Sequence, residues 1–260
     1  IELRAAQTAD IVVTVSNAMR DELIGLGFPA EKIRVVYNGV DPQKYSPNEV
    51  SREKTQEIRA KYGVKDDDLM ILFLGRLVWI KGVDKLIASM PHILQKIPNA
   101  KLVIVGSGDM QDYVTRLAQN LKVQDHVKFR FEFIPEEERI AHYAACDVAV
   151  FPSVYEPFGI VAIEAMSMEK PVVVGASGVS GMREIVIPTG PEQCGFHINP
   201  NDPTDIAWGI IGSLENADKR RQLGLNGRKR VLKEFTWDEI AKKTVKVYND
   251  LIESQKPKKA

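Results

Sequence analysis

Two carboxylates stand out in the stretch SVYEPFGIVAIEAMS, residues 153–167. Glu156 follows the β-rich run Val148–Phe151, Pro157 favours a helix start, and Gly159 lets a ligand approach the backbone. Glu164 is the only charge in the helical run Ile160–Ser167, where its own face carries Ile160, Val161 and Met168. A carboxylate in that setting is costly unless it receives hydrogen bonds. A ribose diol supplies two donors; a neighbouring arginine or a backbone amide would satisfy the group as well. The amino end of the same helix offers N–H groups and a positive dipole end suited to a diphosphate.

Two cations flank an apolar loop in LFLGRLVWIKG, residues 72–82. Gly75 ends a strand, Arg76 can grip phosphate oxygens with two parallel bonds, and Lys81 is a movable point charge. The plainer reading makes Lys81 a solvated residue at a helix start. In VIVGSGDM, residues 103–110, Gly106 and Gly108 follow a strand as in a dinucleotide fingerprint, but Gln111 stands where a third glycine belongs. That pattern reads as a tight turn that lets a ligand edge come near. Gly178, Ser180 and Gly181 in GASGVSGMREIV, residues 175–186, offer backbone donors to a sugar or phosphate, or form an ordinary turn.

These residues need elements that place them together. Short apolar runs at 11–15, 33–37, 70–74, 102–105, 127–131, 148–151 and 171–174 read as strands. Helical patterns fall at 52–62, 83–95, 110–120, 135–145 and 160–167. Runs that are apolar throughout indicate strands buried on both faces, so the expected fold class is α/β: a doubly wound, open parallel sheet of Rossmann-like type. Ligands of such sheets sit beyond the carboxyl ends of the strands, where every candidate above lies. After Phe196 the pattern turns helical, at 205–214, 219–234 and 237–253. The polar stretch 43–68 reads as a junction. The expected domains are therefore 1–43, the end of a preceding domain with a crossover; 44–234, the compact domain; and 235–260, a helix with a basic disordered tail. The helix carries an apolar stripe through Trp237, Ile240, Val245 and Tyr248 that needs a partner surface.

Composition narrows the function. The 35 Lys+Arg balance 35 Asp+Glu, which removes the long-range attraction nucleic-acid binders use, so an anionic ligand must be held by local charges. Two cysteines without metal spacing, Cys146 and Cys194, fit a reducing compartment. His92, His126, His142 and His197 show no metal spacing either, and Asp66–Asp68 falls in the junction as a solvated turn. Metal and cofactor are expected to be none. No GxxxxGK[ST], HExxH or GxSxG motif occurs, and no apolar run approaches bilayer length.

The ordered motifs VSNAMRDEL (15–23), VVYNGVDPQKYSP (35–47), GRLVWIKGVDKLI (75–87), LVIVGSGDM (102–110), ACDVAVFPSVYEPFGIVAIEAMSMEKPVV (145–173) and FTWDEIAKKTVKVY (235–248) resemble the retaining GT-B glycosyltransferases of family 4, the group of glycogen synthases and mannosyltransferases. The resemblance implies transfer of a hexose from a nucleoside-diphosphate sugar to an acceptor hydroxyl. It implies that Arg76 and Lys81 bind and stabilise the leaving diphosphate, with Gly75 beside them. Glu156 would contact the donor sugar, with Phe158, Gly159 and Ile160 adjoining it, and Glu164 would hold the ribose. Arg130, Phe131, Glu132 and Phe133 would line the base, with Gly106 and Gly108 close by, and Gly178 would lie near the sugar. The segment VKFRFEFIP lacks the glycine usual near position 132. Implied partners are a UDP-, ADP- or GDP-sugar, a carbohydrate or lipid-linked acceptor, and an amino-terminal acceptor domain largely missing from this sequence. A cytoplasmic place follows, with membrane-surface contact through that domain, and the fragment itself is expected to bind donor but transfer little. The bared stripe near the carboxyl end predicts an apolar patch and self-association. A GT-B epimerase or phosphorylase, a non-catalytic sugar-nucleotide-binding module, and a Rossmann dehydrogenase are the competing readings.

Overall fold

The computed structural model describes residues 2–255. The expected disordered tail falls largely on residues 256–260, outside the described residues. In chain order the elements are α1 (Glu2–Thr8), β1 (Val12–Thr14), α2 (Asn17–Gly25), β2 (Ile33–Val35), α3 (Arg52–Lys61), β3 (Leu69–Leu74), α4 (Val83–Lys96) and β4 (Ala100–Val105). There follow α5 (Gln111–Asn120), β5 (Val127–Arg130), α6 (Glu136–Ala145), β6 (Val148–Phe151), α7 (Ile160–Ser167), β7 (Val172–Gly175), α8 (Met182–Ile185), β8 (Gly195–Ile198), α9 (Pro203–Leu214), α10 (Ala217–Glu234) and α11 (Trp237–Ser254).

Six strands form a wholly parallel sheet in the order β5-β4-β3-β6-β7-β8. The chain runs outward from β3 to β5, then returns to lay β6 against the other side of β3. That reversal opens a crevice at the carboxyl ends of β3 and β6, the place where open α/β sheets bind ligands. The expected fold class is what is found.

The alternation of side chains along the strands splits the core into two layers. Met70, Leu72, Leu74, Ala149, Phe151 and Val174 face α3, α6, α7 and α8, while Ile71, Phe73, Val148, Val150 and Val173 face α4, α5 and α9. Both faces are covered, which is why these strands read as unbroken apolar runs.

Three differences from the sequence reading stand out. Gly195–Ile198 is a sheet strand, not the start of a helical region; it is short and interrupted by His197, so its apolar signal is weak. The sequence reading also assigned no helix to α1, α2 or α8. A second, two-stranded parallel sheet joins β1 to β2, with α2 between them. Two segments far apart in sequence meet, one between β2 and α3 and the other just before α11: Val40 N–H donates to the Phe235 carbonyl at 2.8 Å, and Val40 bridges Thr236. On α11 only Ile240 is buried, while Trp237, Val245, Tyr248 and Ile252 are all more than half exposed. Among the described residues no helix is long and apolar enough to cross a membrane.

Candidate functional site

Two adjoining cavities occupy the crevice. The first, about 370 Å³, is lined by Gly75, Arg76 and Lys81 from the β3 exit and by Glu156, Phe158, Gly159 and Ile160 from the β6 exit. The second, about 210 Å³, takes in Gly75, Arg76, Gly106, Glu132 and Phe133. Arg76 and Val161 belong to both walls. The structure thus brings together most of the residues singled out from the sequence. Gly108, Arg130, Phe131, Glu164 and Gly178 line neither cavity.

Lys81 ends a short 3-10 turn, Trp79–Lys81, and its Nζ pairs with Glu156 at 2.5 Å. Both side chains are largely covered, and the Ser153 hydroxyl lies 3.4 Å from the same Glu156 oxygen. Lys81 is therefore not the solvated residue of the plainer reading. Arg76 is exposed and, among the described residues, makes no ion pair. The wall formed by Arg76, Lys81 and Glu156 carries a formal net charge of one positive unit, from two cations and one carboxylate. An anion arriving there meets one guanidinium free of competing carboxylates and one ammonium with donors to spare.

Gly159 starts α7 in the left-handed region at φ 102°, and an added Cβ would sit 2.6 Å from Met182 Cγ. Only glycine allows the chain to turn there, which places the first residues of α7, Ile160 and Val161, on the wall of the first cavity. The glycine pair of VIVGSGDM has a different cause. A Cβ on Gly106 would meet the Gly75 carbonyl oxygen at 1.8 Å, and one on Gly108 the Leu77 oxygen at 2.2 Å. These glycines let the β4 exit pack against the β3 exit, which holds the Arg76 loop in place. Gly178, at φ 63°, packs over Val154 instead of opening onto a cavity.

Glu164 has the protein partners that the alternative reading expected. It is 5% exposed, and it accepts from the Tyr45 hydroxyl at 2.9 Å and the Tyr143 hydroxyl at 2.8 Å. Arg139 lies 3.2 Å away and lines the second cavity, so the carboxylate stands one side chain behind that wall. Burial pushes the Glu164 carboxyl above its usual range, although Arg139 and the two phenols pull it down. Burial beside that carboxylate likewise raises both Tyr45 and Tyr143, which remain hydroxyl donors.

The stretch 130–133 divides. Glu132 and the widely exposed Phe133 face the second cavity. The Arg130 guanidinium is instead held by Glu132 and Glu138, and Phe131 packs on Phe129 with ring centroids 5.1 Å apart. The Arg130 ion pair holds the Glu138 carboxyl at about 2. Sequence reasoning missed Arg139, Tyr45 and Tyr143, whose roles appear only on folding. It also gave no role to Val15 and Asn38, which line the first cavity from the β1–β2 segment.

Strand order, a switch-point crevice and converging cations define a Rossmann-like α/β domain of the GT-B type. The chain belongs to the glycosyl transferases group 1, whose family model matches residues 54–230, and a glycosyltransferase family 4 model matches residues 1–44. An uncharacterized glycosyltransferase of Methanocaldococcus jannaschii is 43% identical over 243 residues, 93% of this chain and 60% of that protein. Among solved structures, the sucrose-phosphate synthase of Thermosynechococcus elongatus superposes with a TM-score of 0.82 at 31% identity, over 98% of this chain and 61% of that one. HepE of Anabaena, in complex with UDP-glucose, gives a TM-score of 0.82 at 27% identity, over 95% and 65%. The chain thus spans 60% to 65% of the length of these relatives.

Proposed function

We propose that this chain is the donor-binding part of a retaining hexosyltransferase, which moves a sugar from a nucleoside diphosphate to an acceptor hydroxyl. The observation that carries the reading is the convergence of Arg76, Lys81, Glu156 and the α7 amino end on one cavity at the switch point. The diphosphate lies over the start of α7, between Arg76 and Lys81. As the bond from the anomeric carbon to the diphosphate oxygen breaks, the electron pair stays on that oxygen, and the two cations stabilise the charge that develops. Lys81 keeps one N–H on Glu156 and turns another to phosphate, while Glu156 accepts from the sugar hydroxyls. The base occupies the second cavity against Phe133 and Glu132, and the ribose lies along the Arg139 side of that wall, which Glu164 braces from behind.

The chain divides at about residues 43 and 235 into two domains joined by a double crossover, a reading supported by the Val40–Phe235 hydrogen bond and by the change of family model between residues 44 and 54. Acceptor binding is assigned to the further length that the relatives possess, with a carbohydrate or lipid-linked acceptor. The reaction belongs to the cytoplasm, where the buried free thiols Cys146 and Cys194 stay reduced. Thermal denaturation with a panel of UDP-, ADP- and GDP-sugars tests this. A donor at 100 times its Kd stabilises the fold by about 2.7 kcal/mol, a clear rise in Tm. A panel in which no sugar nucleotide raises the Tm contradicts the proposal.

A further inference from the structure

The first turn of α2 and the loop that carries Glu156 belong to one hydrogen-bonded assembly centred on Glu184. The backbone amides of Asn17 and Ala18 donate to its two carboxylate oxygens at 3.0 and 2.9 Å. The Asn17 side-chain amide and the Tyr37 hydroxyl donate to it at 2.8 and 2.9 Å. Burial disfavours the charge, but these bonds outweigh it and hold the carboxyl below its usual range. The α8 turn that carries Glu184 is itself fixed, since Arg230 grips the carbonyls of Glu184 and Ile185 at 2.7 and 2.6 Å.

A second tie leads to the donor cavity. The fully buried Ser16 hydroxyl accepts from Met19 N–H at 3.1 Å, capping α2, and donates to the Pro157 carbonyl at 2.6 Å. Pro157 follows Glu156, whose own N–H and carbonyl bond Val179 and Gly181 at 2.9 and 2.8 Å. Ser16 alone satisfies the need of α2 for a cap. The added carboxylate comes from a residue 167 positions away, and it joins the segment matched by one family model to the body matched by the other.

We propose that Glu184 is a positioning residue: its carboxylate clamps the first turn of α2 to α8 and, through Ser16, seats the loop that presents Glu156 to Lys81. The functional consequence rests on the donor-site reading; the clamp does not. Hydrogen–deuterium exchange on the chain and its Glu184→Gln variant tests it. Loss of one charge-assisted anchor quickens exchange about tenfold or more in residues 17–25 and in residues 153–159. Sheet amides at 102–105 keep the wild-type rate. Glu184→Asp, which keeps the charge, restores part of the protection. Ser16→Ala quickens 153–159 with Glu184 intact, and it carries the test alone if Glu184→Gln does not fold. Binding of UDP, ADP and GDP by calorimetry completes the experiment: the nucleotide that binds wild type binds Glu184→Gln about tenfold more weakly. Unchanged exchange at 153–159 overturns the proposal, as does quickening that extends equally to 102–105. If no nucleotide binds wild type, the donor-site reading fails while the exchange pattern still decides the clamp.

Discussion

Glu156 and Glu164 stand on either side of the α7 start, and their surroundings differ in kind. Glu156 lies on the wall of the larger cavity and meets a lysine. Glu164 lies behind the wall and meets two phenols and an arginine. The first arrangement leaves a pair that a ligand can share, because an ammonium carries three donors and uses one here. The second closes a buried charge into the core, where removing one partner strands the others. A cavity-facing pair just before one short helix and a supporting network on it thus lie close together, and the comparison can be broken from either side.

The largest effect is expected on the cavity side. Arg76→Ala or Lys81→Ala, in an enzyme that includes the acceptor domain, should lower kcat about 10²- to 10³-fold while changing KM far less. Steady-state kinetics check this, and near-normal turnover in either variant counts against both roles. Next comes the core side. Glu164→Ala should destabilise the fold by about 3 kcal/mol in urea denaturation, since the buried Tyr143 hydroxyl loses its acceptor and Tyr45 and Arg139 are left with the carboxylate of Glu136 alone. Glu156→Ala should cost roughly 1 kcal/mol, because Lys81 stays beside open space. Equal losses would erase the distinction.

A smaller effect concerns pH. The Glu164 carboxyl is raised in the folded state, so between its unfolded and folded values the native protein holds more protons. Its contribution to stability therefore declines as pH rises through that window. Glu164→Gln should flatten this slope, while Glu156→Gln should leave it in place. Denaturation midpoints between pH 4 and 8 would show the difference. The smallest effect lies on α11, where Val245→Lys and Tyr248→Lys should shift stability by less than about 0.5 kcal/mol. Sedimentation should find less self-association in both.

The sheet was legible because its strands are buried on both faces and read as unbroken apolar runs; β8 was not, being four residues interrupted by a histidine. The cations and Glu156 could be located because strand ends of such sheets point at ligands. The pairing of Lys81 with Glu156 could not, as it joins loops 75 positions apart. Glu164 was legible as a buried charge that needs partners, but Tyr45, which meets it from 119 positions away, carries no local signal. Arg130 shows the same limit in reverse. The family resemblance placed it near the base, yet Glu138 on the following helix holds its side chain elsewhere.

Calorimetric titration of UDP, ADP and GDP onto the wild-type chain and onto the Arg76→Ala, Lys81→Ala double variant addresses the crevice most directly. One diphosphate should bind wild type, and binding should weaken at least about a hundredfold in the double variant, from loss of two charge-assisted contacts. Equal affinity in the two proteins would contradict the assignment of the cations to the diphosphate.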